Sequence, residues 1–514
     1  MDVKQRISSA VKNYIFVSFG LNVVILLALL MVGYPYYEQN TDLMMQGLLY
    51  NITGEGASSY VLFMNVILAK IIKILLEIFD NVAWYSVVQY IMIFTAFNAI
   101  SCIYLKRKND KFRRTILGIF LTFVGFECYL RPSYFKTSAI LCVAGLSILN
   151  VALLYGTVTR KTIFAVIISI GFNIISSFFS WRAFQYTFVL MTICIIINII
   201  RNAGKLNAIL HFILLITIMF VTSYSLHRID RAIYEKDELQ IQSYENKNVI
   251  EKIVMFGYPQ YDANIGKQTN ISEKNYSLVS SGYFLCGEQY AIQMATKIAA
   301  LRRPLGLGSL IEFVRTVPIN IFQNGLFYLT IIMLFLLLHS REVNRPLILS
   351  ALLILAIVYY YIAYINFAWN SAYTHFIIWV PIATEVMLSQ NELRDISYRN
   401  MMVWLVVFTI VLYNKFAGLI VTSIEHEDMK ENLYQNIREE STVCSVDLNS
   451  FLRKYSIFKR YPDGLLKEKN IVMLDGYYLL YNDFNHYMYH GEWNGETNIT
   501  WLDCDRDYRW YLLE

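Results

Sequence analysis

One aspartate stands just beyond the first long apolar run of the chain, in the stretch GYPYYEQNTDLMMQGLLYNITGEG, residues 33–56. This residue is Asp42. A carboxylate close to hydrocarbon is costly, so such a residue generally has a partner or a chemical task. As a general base, Asp42 would take the proton from an attacking hydroxyl group. The alternative is structural, because Thr41-Asp42 before LMMQGLLY is also the pattern of a helix start with Asp42 as N-cap.

The composition indicates the kind of fold that positions this acid. Of the 514 residues, 56% are hydrophobic, 15% aromatic and only 16% charged, whereas soluble domains carry about 25% charged residues. The apolar residues fall in blocks of roughly 17 to 25, long enough to cross a bilayer. We therefore predict an all-α polytopic membrane protein. The net charge of +5 does not indicate a nucleic-acid partner, because the basic residues cluster in loops between the apolar blocks.

The distribution of lysine and arginine predicts the topology. With about eleven transmembrane helices, most basic loops share one side of the membrane, which the positive-inside rule assigns to the cytoplasm. The run at 60–79, YVLFMNVILAKIIKILLEIF, is not predicted to span the membrane, because an additional span here would place the basic loop 106–114 outside. Its polar residues share one helical face, which predicts an amphipathic helix on the membrane surface. The predicted spans are 14–34, 83–105, 115–130, 137–156, 162–180, 185–200, 206–226, 324–340, 346–366, 373–390 and 401–422.

This topology divides the chain into a transmembrane domain, 1–423, and a C-terminal domain, 424–514. We expect a multi-pass protein of the cell membrane with a cytoplasmic N-terminus. The outer loops 35–82 and 227–323 belong to the transmembrane domain. The loop 227–323 contains helical stretches near 287–303 and 308–322. The tail has a helical first half and then the strand-like text IVMLDGYYLLYND, which predicts a small extracytoplasmic α/β domain.

Asp42 then lies on the outer face, between the first span and the surface helix. A sugar donor linked to a lipid phosphate keeps its tail in the bilayer and its phosphate at headgroup level. A base at this depth is placed to activate an acceptor hydroxyl, and nearby cations would hold the phosphate. Candidate cations are Arg131 and Lys136 in LRPSYFKT and Arg182 in SWRAFQ. The alternative role for each of them is that of a helix-end anchor that snorkels to lipid phosphates.

Other polar and aromatic residues near the predicted outer face complete the candidate site. Glu127 precedes Arg131 by four residues, which predicts an ion pair between them. Candidate contacts to sugar or acceptor are Tyr37, Asn40, Trp369 and His375. Interfacial anchoring is the alternative role for the tryptophan. The seven histidines do not cluster, and no zinc-ligand spacing occurs, so neither a metal nor another cofactor is predicted, and a divalent metal has no support in the pattern.

Several stretches together resemble a known superfamily. They are NTDLMMQGLLYNITGEG with VLFMNVILAKIIKILLEIFDNVAWYS, then LRPSYFKTSAIL, SWRAFQ, and YENKNVIEKIVMFGYPQYDANIGKQTNISEKNYSLVSSGYF. Their order resembles the GT-C superfamily of membrane glycosyltransferases, and more narrowly a branch from Gram-positive surface-polysaccharide settings, mainly over residues 10–300.

The resemblance implies a polyprenyl-phosphate-linked sugar as donor, a glycan or lipid as acceptor, membrane lipids as surroundings, and Asp42 as base. Many relatives have two adjacent acids where this chain has Thr41 and Asp42. That difference argues against a paired-carboxylate or metal-bridged mechanism.

Two other classes of function remain open. A polymerase or ligase acting on lipid-linked oligosaccharide would place paired arginines in large outer loops, and Arg302-Arg303 is such a pair. A non-enzymatic glycolipid flippase or exporter would carry charged residues midway through its spans. Glu385 and Lys415 are the candidates for that role, and both lie towards helix ends in the predicted topology.

Overall fold

The fold is described from a computed structural model. It describes residues 13–54, 56–154, 160–203, 206–256, 259–280, 288–301, 307–338, 345–366, 371–389 and 456–465, together with positions 406 and 417 and three strands of the tail. The predicted span at 401–422 and most of the predicted tail domain lie outside the described residues.

The described part of the transmembrane domain is helical. Its helices in chain order are α1 (Tyr14–Val32), α2 (Asn40–Leu49), α3 (Val66–Ile78), α4 (Trp84–Arg107), α5 (Lys111–Gly125), α6 (Tyr134–Leu154), α7 (Arg160–Phe179), α8 (Trp181–Ala203), α9 (Leu206–Tyr234), α10 (Glu238–Phe256), α11 (Ala263–Thr269), α12 (Glu273–Ser280), α13 (Glu288–Ala300), α14 (Leu307–Gln323), α15 (Gly325–Leu338), α16 (Arg345–Asn366) and α17 (Ser371–Ser389). A π-helical turn, Phe126–Leu130, continues α5.

Five of these helices are long and apolar enough to cross a membrane, namely α1, α4, α6, α7 and α9. The count is six if α14 and α15, which are bent by 78° at their junction, form one broken span. Apolar stretches of α8 and α16 are shorter. The prediction of an all-α, multi-pass membrane protein is therefore confirmed at this level, and the figure of about eleven spans stays a prediction.

Helix α6 is the centre of the bundle. It packs against α4, α7, α8 and α17, and 89% of the residues in its most apolar stretch are buried. The approach of α7 is close because α6 presents Gly145 there. A Cβ atom at this position would lie 2.6 Å from Nδ2 of Asn173 and 3.1 Å from the carbonyl oxygen of Ser169. Small residues at such contacts let membrane helices pack tightly.

The run at 60–79 forms the short helix α3, as its charge pattern predicted. Its 13 residues span only about 20 Å, less than the ~30 Å of a hydrocarbon core. Asn65 caps it by accepting a hydrogen bond from the amide of Ile67 at 2.9 Å. One face is buried in the protein, and the opposite face exposes Ile71, Ile74 and Ile78. Such a helix suits the membrane surface.

The later part of the chain contains the helical stretches expected near 287–303 and 308–322, as α13 and α14. In the tail, strands β1 (Thr442–Ser445), β2 (Ile471–Met473) and β3 (Ile499–Leu502) form a parallel sheet in the order β2-β1-β3. Whether residues 424–514 fold as a separate α/β domain stays a prediction.

The sidedness of the bundle is testable at the two ends of α4. Asn81 and Lys108 flank this helix, and both are exposed. In intact cells a membrane-impermeant maleimide should label Asn81→Cys and leave Lys108→Cys unlabelled until the cells are permeabilised, because positive charge marks the Lys108 side as cytoplasmic. The opposite pattern would contradict the predicted topology.

Candidate functional site

Asp42 lies in the first turn of α2, but it does not cap the helix. The N-cap residue is Gln39, which makes no side-chain capping bond. The Asp42 side chain is fully buried, and its carboxylate points to other elements of the bundle. The sequence pattern therefore located the helix start correctly, whereas the N-cap role for Asp42 is not what the structure shows.

One oxygen of Asp42 accepts three hydrogen bonds. Oδ1 takes them from the Tyr85 hydroxyl at 2.7 Å, the Tyr134 amide at 2.9 Å and Nε2 of Gln89 at 3.0 Å. Oδ2 is also buried, and it has no hydrogen-bond partner within the described part of the chain. The carboxylate is thus held firmly through one oxygen while the other keeps its proton-accepting capacity.

The donors come from the ends of α4 and α6 that adjoin α2. Tyr85 and Gln89 stand four residues apart near the start of α4, so they share one face of that helix. Tyr134 is the first residue of α6, where backbone amides lack intrahelical partners and the helix dipole favours negative charge. Two helix ends therefore present donors to a single acid.

Burial raises the pKa of Asp42 from 3.8 to about 7. The hydrogen bonds from Tyr85, the Tyr134 amide and Gln89 lower the pKa, and the nearby Glu38 carboxylate raises it, but desolvation is the largest influence. A carboxyl group that exchanges its proton near neutral pH is suited to general acid–base chemistry.

Four charged residues form a cluster beside Asp42, which we call the charge cluster: Glu38, Glu127, Arg131 and Lys136. Nζ of Lys136 lies 2.8 Å from Glu38 and 2.7 Å from Glu127. Arg131 lies 3.0 Å from Glu127 and 3.4 Å from Glu38. The predicted pair between Glu127 and Arg131 is confirmed, and Glu127 sits in the π-helical turn after α5, a feature often found at functional sites.

The charge cluster is electrically neutral, with two acids and two bases. The Lys136 side chain is completely enclosed, and that of Arg131 is 22% exposed. Two of the three cations predicted to bind a donor phosphate, Arg131 and Lys136, are therefore already paired with carboxylates. Arg131 is the more accessible of the two, and Lys136 would have to leave both acids to bind a phosphate.

Arg182 lies at the same end of the bundle as Asp42. The turn before α8 is tied to α6 by the Ser138 hydroxyl, which donates to the Ser180 carbonyl at 3.0 Å. Ser138 is one helical turn beyond Tyr134. The Arg182 side chain is partly exposed, and the neighbouring Trp181 stacks on His227 with ring centroids 4.7 Å apart.

The four predicted sugar or acceptor contacts have different surroundings. Tyr37 is buried behind Tyr85 and lies 2.6 Å from the Ser86 hydroxyl. His375 is buried and bonded to the Tyr360 hydroxyl at 2.5 Å. The side chain of Asn40 and residue Trp369 lie outside the described residues. Neither Tyr37 nor His375 therefore presents a free surface in this conformation.

A segment distant in sequence covers the Asp42 region. Residues 456–465, which we call the strap, place the Ile457 carbonyl within 3.4 Å of Nε2 of Gln46, one turn after Asp42 in α2. The same carbonyl accepts a short hydrogen bond from the Ser86 hydroxyl of α4. Since Ser86 donates its proton there, Tyr37 is the donor in its own bond to Ser86.

Sequence reasoning missed several parts of this site. Gln89 is a polar residue inside an apolar span, which is itself a signal of a task. Glu38 stands four residues before Asp42 in the sequence, so the proximity of these two acids could have been predicted. Nothing local marked the contact between the strap and α2. Among the described residues, no group of three or more His, Cys, Asp or Glu side chains is arranged to hold a metal ion.

The charge cluster makes a prediction about stability. Lys136→Met should lower the free energy of unfolding of the detergent-solubilised protein by about 3–5 kcal/mol, because it leaves the buried carboxylates of Glu38 and Glu127 with Arg131 as their one shared cation. Arg231→Met breaks an exposed pair with Glu235 and should cost at most about 1 kcal/mol. Melting curves followed by size-exclusion chromatography compare the two variants, and equal melting shifts would contradict the buried network.

Comparison of the chain with protein-family models, with curated proteins and with solved structures finds no match.

Proposed function

We propose that this chain is a membrane glycosyltransferase of the GT-C type, which moves a sugar from a polyprenyl-phosphate carrier to a glycan or lipid acceptor on the outer face of the membrane. The observation that carries the proposal is the state of Asp42. It is a fully buried carboxyl group with a pKa raised to about 7, one oxygen fixed by three donors and the other unpartnered. That is the description of a positioned general base.

In the proposed step, an acceptor hydroxyl oxygen attacks the anomeric carbon of the donor sugar. The bond between that carbon and the phosphate oxygen breaks, and the polyprenyl phosphate leaves with the bonding electrons. Oδ2 of Asp42 takes the hydroxyl proton, because Oδ1 already accepts its three hydrogen bonds. Tyr85 and Gln89 are positioning residues, which fix the direction in which Oδ2 points.

The leaving phosphate needs positive charge at headgroup depth. Arg182 and Arg131 are the cations proposed for this role, since both are partly exposed at the end of the bundle that contains Asp42. A guanidinium group can hold two phosphate oxygens at once. The proposed contribution of Lys136 is to hold Glu38 and Glu127 in place, and so to keep Arg131 fixed.

Asp42→Asn should abolish sugar transfer and leave the protein folded in the membrane. The amide oxygen of asparagine can accept the three bonds now made to Oδ1, but the amide nitrogen cannot take a proton from a hydroxyl group. Loss of a general base costs about 10²- to 10⁴-fold in rate. The matched control is Glu77→Gln, which neutralises an exposed acid of α3. The measurement is the composition of the surface glycan in cells carrying each variant, and normal modification with Asp42→Asn would remove Asp42 from the chemistry.

The raised pKa of Asp42 predicts a pH profile. The base works when deprotonated, and burial moves its deprotonation up to pH about 7, so transfer should rise between pH 5.5 and 8 and reach half its plateau near pH 7. A carboxylate with an ordinary pKa near 4 would already be at its plateau at pH 5.5. Initial rates in membrane vesicles at saturating donor test this, and a flat profile over that range would exclude a base with a pKa near neutrality.

A further inference from the structure

The strap, residues 456–465, is anchored over the Asp42 region at two places. At the first, the Ile457 carbonyl accepts hydrogen bonds from Gln46 and Ser86, and the Phe458 ring packs edge-on against Tyr90 with centroids 4.9 Å apart. Gln46 stands one helical turn after Asp42, so this first anchor lies next to the proposed base.

The second anchor lies farther along the strap. The Tyr461 ring packs against Tyr50 at 5.9 Å, and the amide of Gly464 donates to the carbonyl of Asn51 at 2.9 Å. Gly464 has a φ of +67°, a conformation that favours glycine, and it ends the turn that returns the strap to the bundle. Arg460 bonds the Asp80 carbonyl at 3.3 Å.

The floor beneath the strap carries both hydrogen-bond donors and acceptors. Donors from Gln46 and Ser86 find an acceptor in the single carbonyl of Ile457. Oδ2 of Asp42 and Oε1 of Gln89 are buried and have no hydrogen-bond partner among the described residues. Leaving a buried polar atom unsatisfied costs about 1–3 kcal/mol. Oε1 of Gln46 is likewise buried without a hydrogen-bond partner in the described part of the chain. The strap thus satisfies the donors of the floor and leaves three of its acceptors unmatched.

A carbohydrate has the chemistry that would satisfy this floor more fully. Each sugar hydroxyl both donates and accepts hydrogen bonds. It can therefore accept the hydrogen bonds now made to the Ile457 carbonyl and can also donate hydrogen bonds to Asp42 and Gln89. The Tyr90 and Tyr50 rings that now hold Phe458 and Tyr461 offer apolar faces with polar edges, which suit the apolar faces of sugar rings.

The strap also has an open edge. A cavity of about 500 Å³ lies between strap residues 458–463 and the pair Asp80 and Asn81, within the size range of small-molecule sites. Phe458 is 39% exposed and Lys459 points to solvent. Residues 456–464 form turns and irregular backbone, so they can leave without breaking a helix of the bundle.

We propose that the strap is a displaceable lid that fills the acceptor groove over Asp42, and that the hydroxyl-rich acceptor glycan takes its place. The identity of the acceptor as a glycan rests on the proposed function. The lid itself rests only on the contacts of the strap. In the covered state no acceptor hydroxyl can approach Oδ2 of Asp42, so opening of the strap precedes transfer.

The lid is tested by the accessibility of Ser86→Cys in full-length protein whose seven native cysteines are replaced by alanine. Ser86 is fully buried beneath Ile457. A maleimide should label this cysteine slowly, and Phe458→Ala or Tyr461→Ala should speed labelling at least tenfold by loosening one anchor. Lys459→Ala is the matched control, since this strap side chain is exposed, and should leave the rate unchanged. The two variants each loosen a different anchor, so the test still holds if one of them fails to fold. Folding of each variant is checked by size-exclusion chromatography.

The acceptor groove is tested in the loosened variants with one probe, glycan released from the envelope of the cells in which the chain is native. The glycan should slow labelling of Ser86→Cys at least threefold in Phe458→Ala. Equal labelling rates in loosened and control variants would overturn the lid. Faster labelling without protection by glycan would overturn the acceptor groove. Neither readout involves sugar transfer, so failure of Asp42 as a base, shown by active Asp42→Asn, is recognised separately.

Discussion

A single carboxylate oxygen joins three elements that lie far apart in the sequence. Oδ1 of Asp42, in α2, accepts hydrogen bonds from Tyr85 and Gln89 of α4 and from the first amide of α6. Since α6 is the central helix of the bundle, this contact fixes the segment that follows α1 against the core. Desolvation of the acid opposes the arrangement, and the three donors offset part of that cost. The bonds that place the acid in the structure are thus the same ones that leave its second oxygen free for chemistry.

The charge cluster acts on Asp42 through Glu38. The loop that carries Glu38 runs beside the loop before α6, where the Tyr36 amide donates to the Leu130 carbonyl at 3.0 Å. Glu38 is therefore held near Asp42 and raises its pKa, while Lys136 and Arg131 neutralise most of its charge. Burial remains the largest influence on the pKa of Asp42, and Glu38 adds a smaller increase.

The sequence predicted those parts of the fold that depend on local pattern. Apolar runs located the helices that are long enough to span a membrane. The charge pattern of 60–79 predicted a short amphipathic helix, which is α3, and a spacing of four residues paired Glu127 with Arg131. The partners of Asp42 were not predictable, because Tyr85 and Gln89 meet it only through tertiary packing. The strap lay beyond reach for the same reason, since its contact with Ser86 joins positions 371 residues apart and no local pattern encodes such a pairing. The N-cap interpretation was wrong because tertiary donors outcompeted the local amides for the carboxylate.

Covering the base has a physical consequence under the proposed function. A carboxylate with a pKa near 7 can take a proton from water as well as from a sugar hydroxyl, and a lipid-linked sugar bound beside it would then be hydrolysed. In the described conformation, which includes the strap, the Asp42 side chain is fully buried, so water is excluded from it. The unmatched acceptors beneath the strap make this covered state less stable than a well-matched contact would be. A strap that bound more tightly would protect the donor equally well, but it would hinder binding of the acceptor. An imperfect fit therefore allows both exclusion of water and access for the acceptor.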